Sequence, residues 1–518
     1  MARCTFRHIL LPALALGLLS GLAAQGRRGP IQTGPVGDFF RYMSNAPFGE
    51  KHIPTVGQIA TTQHQITING QTLSYTARVG MMPIRNATTG VIEGYMNYTY
   101  YSKNGVTDKA TRPITYLFNG GPGSGSLWLH LGAFGPYRIN LEPDGMSRPP
   151  YTYSPNPDTL LDQTDLCFIE AMGTGWSRPT EPKYGPDFWG VQNDLAAFGE
   201  FIRDFTNQYN LWESPRFLAG ESYGTTRAAG LSGYLTDHDM PVTGVFLLST
   251  IIDPEATAGD LRYVNALPTQ AMTAWYYHKD SPALQKMTAK QVSDAALQFA
   301  GGEYLHDLYL GARMTPAEHA KVLQQLHDFI GLPVSYLDQN DLRINLGQFS
   351  TELLRSQHMM TSRLDSRFPG YLENGGAQRT PFDFSEANIE NSFPAAFEDY
   401  MRNNLHYVNP DIYYVLGGGI GRWPGAYDTV VNLEDAFARN PRMHLMVGMG
   451  YYDFATIYGA VEWTLAHMKV SPQVRANNIM TAHFQAGHMV YIDSAALAKL
   501  RARMRIFYDK AMAAWTAK

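Results

Sequence analysis

The stretch Leu218-Ala219-Gly220-Glu221-Ser222-Tyr223-Gly224 constrains this chain more than any other. It holds the one Gly-x-Ser-x-Gly pattern in 518 residues. A β-compatible run, residues 216–219, leads into it, and a run of small residues, 225–235, suits a helix leading out. A strand–turn–helix that tight leaves no room for side chains two positions before and two after the serine, which accounts for Gly220 and Gly224. The turn forces the serine into a strained backbone and holds its hydroxyl clear of the strand end. Gly-flanked serines also occur in ordinary loops between a strand and a helix. What this one does depends on whether the chain supplies a base, an acid and an anion-stabilising loop.

The length gives ample core-forming capacity, as two to four domains or as one large α/β domain with insertions. Composition is that of an ordinary globular protein, 44% hydrophobic and 17% charged. A formal charge of −5 leaves no basic footprint for nucleic acid. Residues 1–24 read as an export signal. Arg3, Arg7 and His8 form a basic start, residues 9–22 are apolar but short and Gly-rich for a membrane span, and Ala23 and Ala24 offer a cleavage site. The expected product is an exported protein, periplasmic or secreted, with no integral membrane segment after cleavage. Cys4 leaves with that signal, so Cys167 stands alone and no intramolecular disulfide is available. Its apolar run Leu166-Cys167-Phe168-Ile169 marks it as a core residue rather than a nucleophile.

Residues 25–60 read as an extended lead-in. Alternation around Asn69-Gly70 predicts a hairpin over 65–75, and residues 92–101 predict another strand. Four apolar runs follow, 114–118, 166–170, 217–219 and 245–248, with the pattern of buried parallel strands. Helical stretches such as 194–209 separate several of them. The texture changes after Ser249. Residues 252–425 read as a mainly helical insertion, with capping boxes at Thr288–Gln291 and Thr315–Glu318 and a Gly417-Gly418-Gly419 break near its end. Strand patterns return at 444–447 and 479–482, and an amphipathic helix over 494–516 closes the chain. The expected architecture is α/β: a mostly parallel central sheet covered by helices, divided into a first core part (61–251), a helical cap insertion (252–425) and a second core part (426–518).

The chemistry follows from the order of residues along this sheet. A serine nucleophile needs a general base, and the base needs an acid to orient it. On an α/β sheet these come in the order Ser, acid, His, the last two on loops after late strands. His488 in Gly487-His488-Met489 follows the strand at 479–482 by a short loop. Asp453 closes a strand end and Gly-rich turn, Gly448-Met449-Gly450-Tyr451-Tyr452-Asp453. His483 is an alternative base. Asp493 is an alternative acid, but it follows His488 and breaks the order. A developing oxyanion needs two backbone donors. One is the amide of Tyr223. The other is expected from Asn119-Gly120-Gly121-Pro122-Gly123-Ser124-Gly125-Ser126, the Gly-rich loop after the strand at 114–118. Losing one such donor costs about 3–4 kcal/mol of transition-state stabilisation. The loop lacks the Gly-Lys-Ser/Thr end of a phosphate-binding loop and the spacing of a dinucleotide fingerprint. No metal site and no cofactor are expected, since the 15 histidines show no ligand spacing.

Taken together, Asn119-Gly120-Gly121-Pro122-Gly123, Gly173-Thr174-Gly175-Trp176-Ser177, Gly220-Glu221-Ser222-Tyr223-Gly224 and Gly487-His488-Met489 resemble the serine carboxypeptidase family of α/β-hydrolases. Leu267-Pro268-Thr269, Ala274-Trp275-Tyr276 and Arg363-Leu364-Asp365-Ser366-Arg367-Phe368 resemble the cap of its bacterial branch. The resemblance implies an α/β-hydrolase fold with Ser222, Asp453 and His488 as catalytic residues. It further implies Gly121 and Tyr223 as the oxyanion hole, and Asn119 and Glu221 as the groups that hold a peptide substrate's terminal carboxylate. A carboxyl group beside an anionic substrate donates a hydrogen bond only when protonated, so such an enzyme works in acid with a histidine still neutral enough to act as base. Two departures matter. The family's usual disulfides are absent. A second Glu expected two residues before Gly135-Pro136 is replaced by Ala133. Half of the carboxyl clamp is then missing, unless Asn119, Trp128, His130 or a cap residue takes its place. The expected function is release of C-terminal residues from peptides through an acyl-enzyme on Ser222. An esterase, amidase or acyltransferase on the same triad is the alternative.

Overall fold

A computed structural model describes residues 57–372, 382–417 and 420–516. The expected signal, most of the lead-in, and Gly418 and Gly419 lie outside the described residues. Nine strands form the path of the central sheet: β1 (Ala60–Ile68), β2 (Gln71–Arg85), β3 (Ile92–Lys103), β4 (Ile114–Phe118), β5 (Asp165–Ile169), β6 (Arg216–Ser222), β7 (Gly244–Thr250), β8 (His444–Gly450) and β9 (Ile479–Phe484). Their spatial order is β1-β2-β3-β5-β4-β6-β7-β8-β9, and the two-residue strand Arg178–Pro179 pairs with β3. The first three strands are antiparallel to their neighbours, and every pairing from β5 to β9 is parallel. The β1–β2 hairpin turns at Asn69 and Gly70, both with positive φ, which is the geometry Asn-Gly favours.

The central parallel strands are buried on both faces, whereas the edge strand β9 is buried only at Ala482 and Phe484. β4 and β5 are buried throughout, and so is β7. Their side chains alternate between two cores. Tyr116 and Phe118 of β4, Leu218 of β6 and Val245 and Leu247 of β7 face one core. Leu117, Phe217, Phe246 and Leu248 face the other. Each such residue contributes about 1.5–3 kcal/mol when fully buried. Two helices cover the first face, α1 (Val191–Tyr209) with Phe198, Phe201 and Phe205, and α2 (Tyr223–Asp237) with Ala228, Ala229 and Leu231. Cys167 is fully buried on this side, and burial pushes its thiol pKa well up, as expected of a core residue.

Between β7 and β8 the described residues are mainly helical. They include α3 (Leu261–Tyr276), α4 (Ala289–Phe299), α5 (Pro316–Ile330) and α6 (Ser392–Asn403), with one small hairpin, Met359–Thr361 paired to Pro369–Tyr371. Both predicted capping boxes are formed, at Thr288–Gln291 and Thr315–Glu318. This segment has a core of its own built on Leu267, Ala271, Val322, Leu326 and Phe349, and Phe454 from the loop after β8 is embedded in it. Then α7 (Val430–Arg439) packs on α2, where Gly233 leaves room for Asn432. The chain ends with α8 (Tyr458–His467) and α9 (Ser494–Thr516), the latter covering the second sheet face through Leu497, Leu500, Met504 and Phe507. Among the described residues no helix is long and apolar enough to cross a membrane.

Candidate active site

Ser222 is the last residue of β6 and leads directly into α2. Its φ of 58° and ψ of −130° lie where a non-glycine residue is strained. The surrounding backbone imposes that conformation. A Cβ on Gly220 would collide with the carbonyl of Gly224, and one on Gly224 with the Phe118 carbonyl at the end of β4. Gly120 is equally confined, since its missing Cβ points at the amide nitrogens of Tyr223 and Gly224. The Gly-rich loop is therefore pressed backbone to backbone against the elbow. Gly121 follows with φ of 105°, which a side chain rarely allows. The two amides expected to form the oxyanion hole, of Gly121 and Tyr223, thus belong to two loops in direct contact.

Beneath the elbow lies a pair that the motifs do not announce. Arg227, one turn into α2 and fully buried, forks onto Asp194 of α1 with Nε–Oδ2 2.8 Å and Nη2–Oδ1 3.1 Å. Its remaining nitrogen donates to the Asn119 carbonyl at 2.8 Å, and the Tyr223 hydroxyl donates to Asp194 at 3.2 Å. One cation thereby ties the Gly-rich loop, the elbow helix and α1 together.

The loops after β8 and β9 bring Asp453 and His488 together. His488 Nδ1 donates to Asp453 Oδ2 at 2.9 Å. Asp453 is fully buried, and its two oxygens accept four donors: the amides of Ala455 and Thr456 on Oδ1, the Thr456 hydroxyl and the imidazole on Oδ2. With its acceptor sites filled, the carboxylate plane is fixed, and so is the imidazole it meets. Burial works against a charge on His488, but the Asp453 charge and hydrogen bond, with Glu221 nearby, outweigh it and raise the imidazole pKa above its ordinary value. The alternatives go elsewhere. His483 stacks on Tyr451 and faces Glu462 at 3.1 Å. Asp493 accepts from Arg367 and from the Ala496 amide in the first turn of α9.

Glu221 is buried close to His488, among polar groups. Its Oε2 accepts from Asn119 Nδ2 at 2.6 Å and from the Tyr491 hydroxyl at 2.8 Å. Asn119 is held the right way round because its Oδ1 takes the Leu129 amide. Burial pushes the Glu221 carboxyl up to about 7, against the pull of His488, Tyr491 and Asn119. Tyr491 thus sits at the carboxyl group that was expected to lack a partner. Its ring occupies the space where a Cβ on Gly132 would be, beside Ala133. Asn119 is thus the expected substitute for Ala133 that reaches Glu221, whereas His130 and Trp128 are engaged elsewhere. His130 meets the Tyr101 hydroxyl at 2.6 Å and stacks on Phe168, and burial pushes its pKa down to about 3. Trp128 donates to Ser124. The Gly-Thr-Gly-Trp-Ser loop acts in framing: Ser177 receives the Asn97 amide and donates to the Glu170 carbonyl, while the Glu170 carboxyl accepts the Ser126 amide and the Tyr413 hydroxyl. Among the described residues no group of three or more His, Cys, Asp or Glu is placed to hold a metal ion.

The mostly parallel sheet, the elbow at the end of a central strand and the helices on both faces define an α/β-hydrolase. Within that class, residues 88–293 match the family model described as serine carboxypeptidase, so the family resemblance read from the motifs stands over the Gly-rich loop, the Gly-Thr-Gly-Trp-Ser loop and the elbow. Asp453 and His488 lie beyond the matched span. A carboxypeptidase Y homolog of Arthroderma benhamiae is 31% identical over 156 residues, 30% of this chain and 29% of its own length. A serine carboxypeptidase-like protein of Arabidopsis thaliana is 26% identical over 129 residues, 24% of each chain. The chain thus spans less than a third of the length of these curated relatives. A solved prohormone-processing carboxypeptidase of Saccharomyces cerevisiae aligns over 84% of this chain and 91% of its own, with 15% identity and a TM-score of 0.49.

Proposed function

We propose that the protein is an exported serine-type carboxypeptidase acting on peptides. Ser222 attacks the carbonyl of the last peptide bond, and His488 takes the hydroxyl proton while Asp453 steadies the imidazolium. The amides of Gly121 and Tyr223 receive the oxyanion. The departing C-terminal residue leaves with the proton from His488, and water then releases the acyl group from Ser222. Glu221 and Asn119 receive the substrate's terminal carboxylate.

One observation carries the choice of a carboxyl-terminal substrate: a buried glutamic acid directly before the nucleophile, with both of its protein donors on Oε2. The proton then belongs on Oε1, from which a neutral Glu221 donates to an anion. The sign follows from the carboxyl's displacement to about 7. Below that pH Glu221 is protonated and accepts a carboxylate ligand. Above it, two like charges meet and binding weakens. KM for a peptide with a free carboxylate should therefore rise steeply as pH passes about 7, whereas KM for the same peptide amidated should not. Equal KM profiles for acid and amide would reject the carboxypeptidase reading. They would favour an esterase, amidase or acyltransferase on the same triad, the reading that Ala133 supports. In either case Ser222→Ala should abolish turnover and labelling by an organophosphate.

A further inference from the structure

The cap segment Arg363-Leu364-Asp365-Ser366-Arg367 runs as a strap across both loops that carry the acid and the base. The His488 amide donates to the Leu364 carbonyl at 2.6 Å, and the Gly487 amide to Asp365 Oδ2 at 3.0 Å. On the acid side, the Phe454 amide donates to the Arg363 carbonyl and the Ser366 amide to the Tyr452 carbonyl, each at 3.0 Å. The residues flanking Asp453, together with His488 and the residue before it, are thus bonded to consecutive cap residues. Arg367 closes the arrangement. It forks onto Asp365 at 2.7 and 3.0 Å and reaches the Gln485 carbonyl at 2.8 Å and Asp493 at 3.2 Å, so it spans the His488 loop. The Asp365 side chain is 4% exposed and that of Arg367 13%, so water screens the pair little. The strap is itself fixed to α3 and the residue that caps it: Thr273 bonds the Ser366 hydroxyl and Tyr277 the Ser366 carbonyl.

The loop from β9 to His488 contains Gln485, Ala486 and Gly487 and forms no helix or strand of its own. Gly487 has no space for a side chain, because Leu364 and Asp365 occupy it. We propose that Asp365 is a positioning residue for the general base: by holding the Gly487 amide and Arg367 together, it sets where the imidazole stands between Asp453 and Ser222. The inference rests on the triad reading above. It makes the cap part of the catalytic alignment rather than only a wall of the pocket.

The test uses the full-length enzyme and an activated aryl ester, a substrate too small to depend on the cap for binding. A shift of about 1 Å in a catalytic group costs on the order of 100-fold. Asp365→Ala should lower kcat by roughly 10- to 100-fold, with KM within about twofold and the organophosphate labelling rate of Ser222 falling in parallel. Asp365→Asn keeps an oxygen for the Gly487 amide, so it should recover about tenfold of that loss. If Asp365→Ala does not fold, Arg367→Gln carries the test, with an expected kcat loss of about 3- to 10-fold. The proposal is overturned if the folded variant keeps kcat and labelling within twofold of wild type, or if the loss merely tracks the unfolded fraction in a melting curve. The two readings fail separately: full activity in Ser222→Ala removes the triad, whereas an inert Ser222→Ala beside a fully active Asp365→Ala removes only the strap.

Discussion

Ser222 and the Gly-rich loop are seated by backbone against backbone, with Gly120, Gly220 and Gly224 each filling a space that admits no side chain. Asp453 and His488 stand on loops whose amides are bonded to the cap. The first half is built within the sheet and the helices on it, from residues 118–124 and 216–227. The second draws on the mainly helical segment between β7 and β8. Both sides use close backbone approach and a shielded ion pair, Gly220 with Arg227–Asp194 on the first and Gly487 with Arg367–Asp365 on the second. They differ in the partners: those of the nucleophile side are strand ends and helix starts of the central sheet, whereas those of the acid–base side lie outside it, where a shift can leave the sheet intact. The two halves should therefore fail in different ways when disturbed alike.

Adding one methyl group to each half tests this most sharply. Gly220→Ala drives a Cβ into the Gly224 carbonyl, which neither strand nor helix can move aside, so little or no folded protein is expected on expression. Gly487→Ala drives a Cβ into the Leu364 carbonyl oxygen and the Asp365 Cβ, so the strap, which belongs to no strand of the central sheet, has to move. That variant should fold, with a melting midpoint within a few degrees of wild type, and lose about 10- to 100-fold in kcat. A folded and active Gly220→Ala would erase the distinction.

Next in size is the buried pair under the elbow. Arg227→Met leaves the Asp194 carboxylate in the core without its cation, a change that costs about 3–5 kcal/mol. It should appear as a lowered urea midpoint at an unchanged denaturant slope. Adding Asp194→Asn should restore part of the loss, since no charge is then left unpaired. Stability equal to wild type in Arg227→Met would show that the nucleophile half does not depend on this pair.

The same contrast explains what could be read before any coordinates. The strands at 114–118 and 245–248, the Asn69-Gly70 turn, both capping boxes and the two elbow glycines declare themselves by composition at fixed local spacing. A mostly parallel α/β sheet covered by helices follows from their order, and the resemblance of the motifs narrows it to an α/β-hydrolase. Arg227 and Asp194 are 33 positions apart. Their one local sign is a lone cation in a helix rich in small residues. The strap lies about 120 residues from the loop it holds. Its residues resemble a cap in the sequence, and nothing in that resemblance implies a bond to His488. Ala133 announced that a carboxyl partner was missing, but nothing local announced Tyr491, which lies in the apolar run Met489-Val490-Tyr491-Ile492. The neighbouring signal was Gly132, whose missing side chain makes room for that ring.

Tyr491 joins the two halves, since it follows His488 by three residues and donates to the glutamate before Ser222. It therefore offers the finest test of the comparison. A hydrogen bond to a carboxylate favours the charged form. Tyr491→Phe removes one of the two on Glu221 Oε2, so the Glu221 pKa, already at about 7, should move further up. The pH at which KM for a free-carboxylate peptide begins to rise should move up with it, by about half to one unit, the equivalent of about 0.7–1.4 kcal/mol. Looser placement of the carboxyl works in the opposite direction, raising KM by a few fold at all pH values. The two effects separate in a KM-against-pH profile: the first displaces the limb along the pH axis, and the second lifts the whole curve. A limb that moved down instead would mean that the hydroxyl of Tyr491 does not donate to Glu221 in the working enzyme. Asn119 would then be the protein's donor to Glu221.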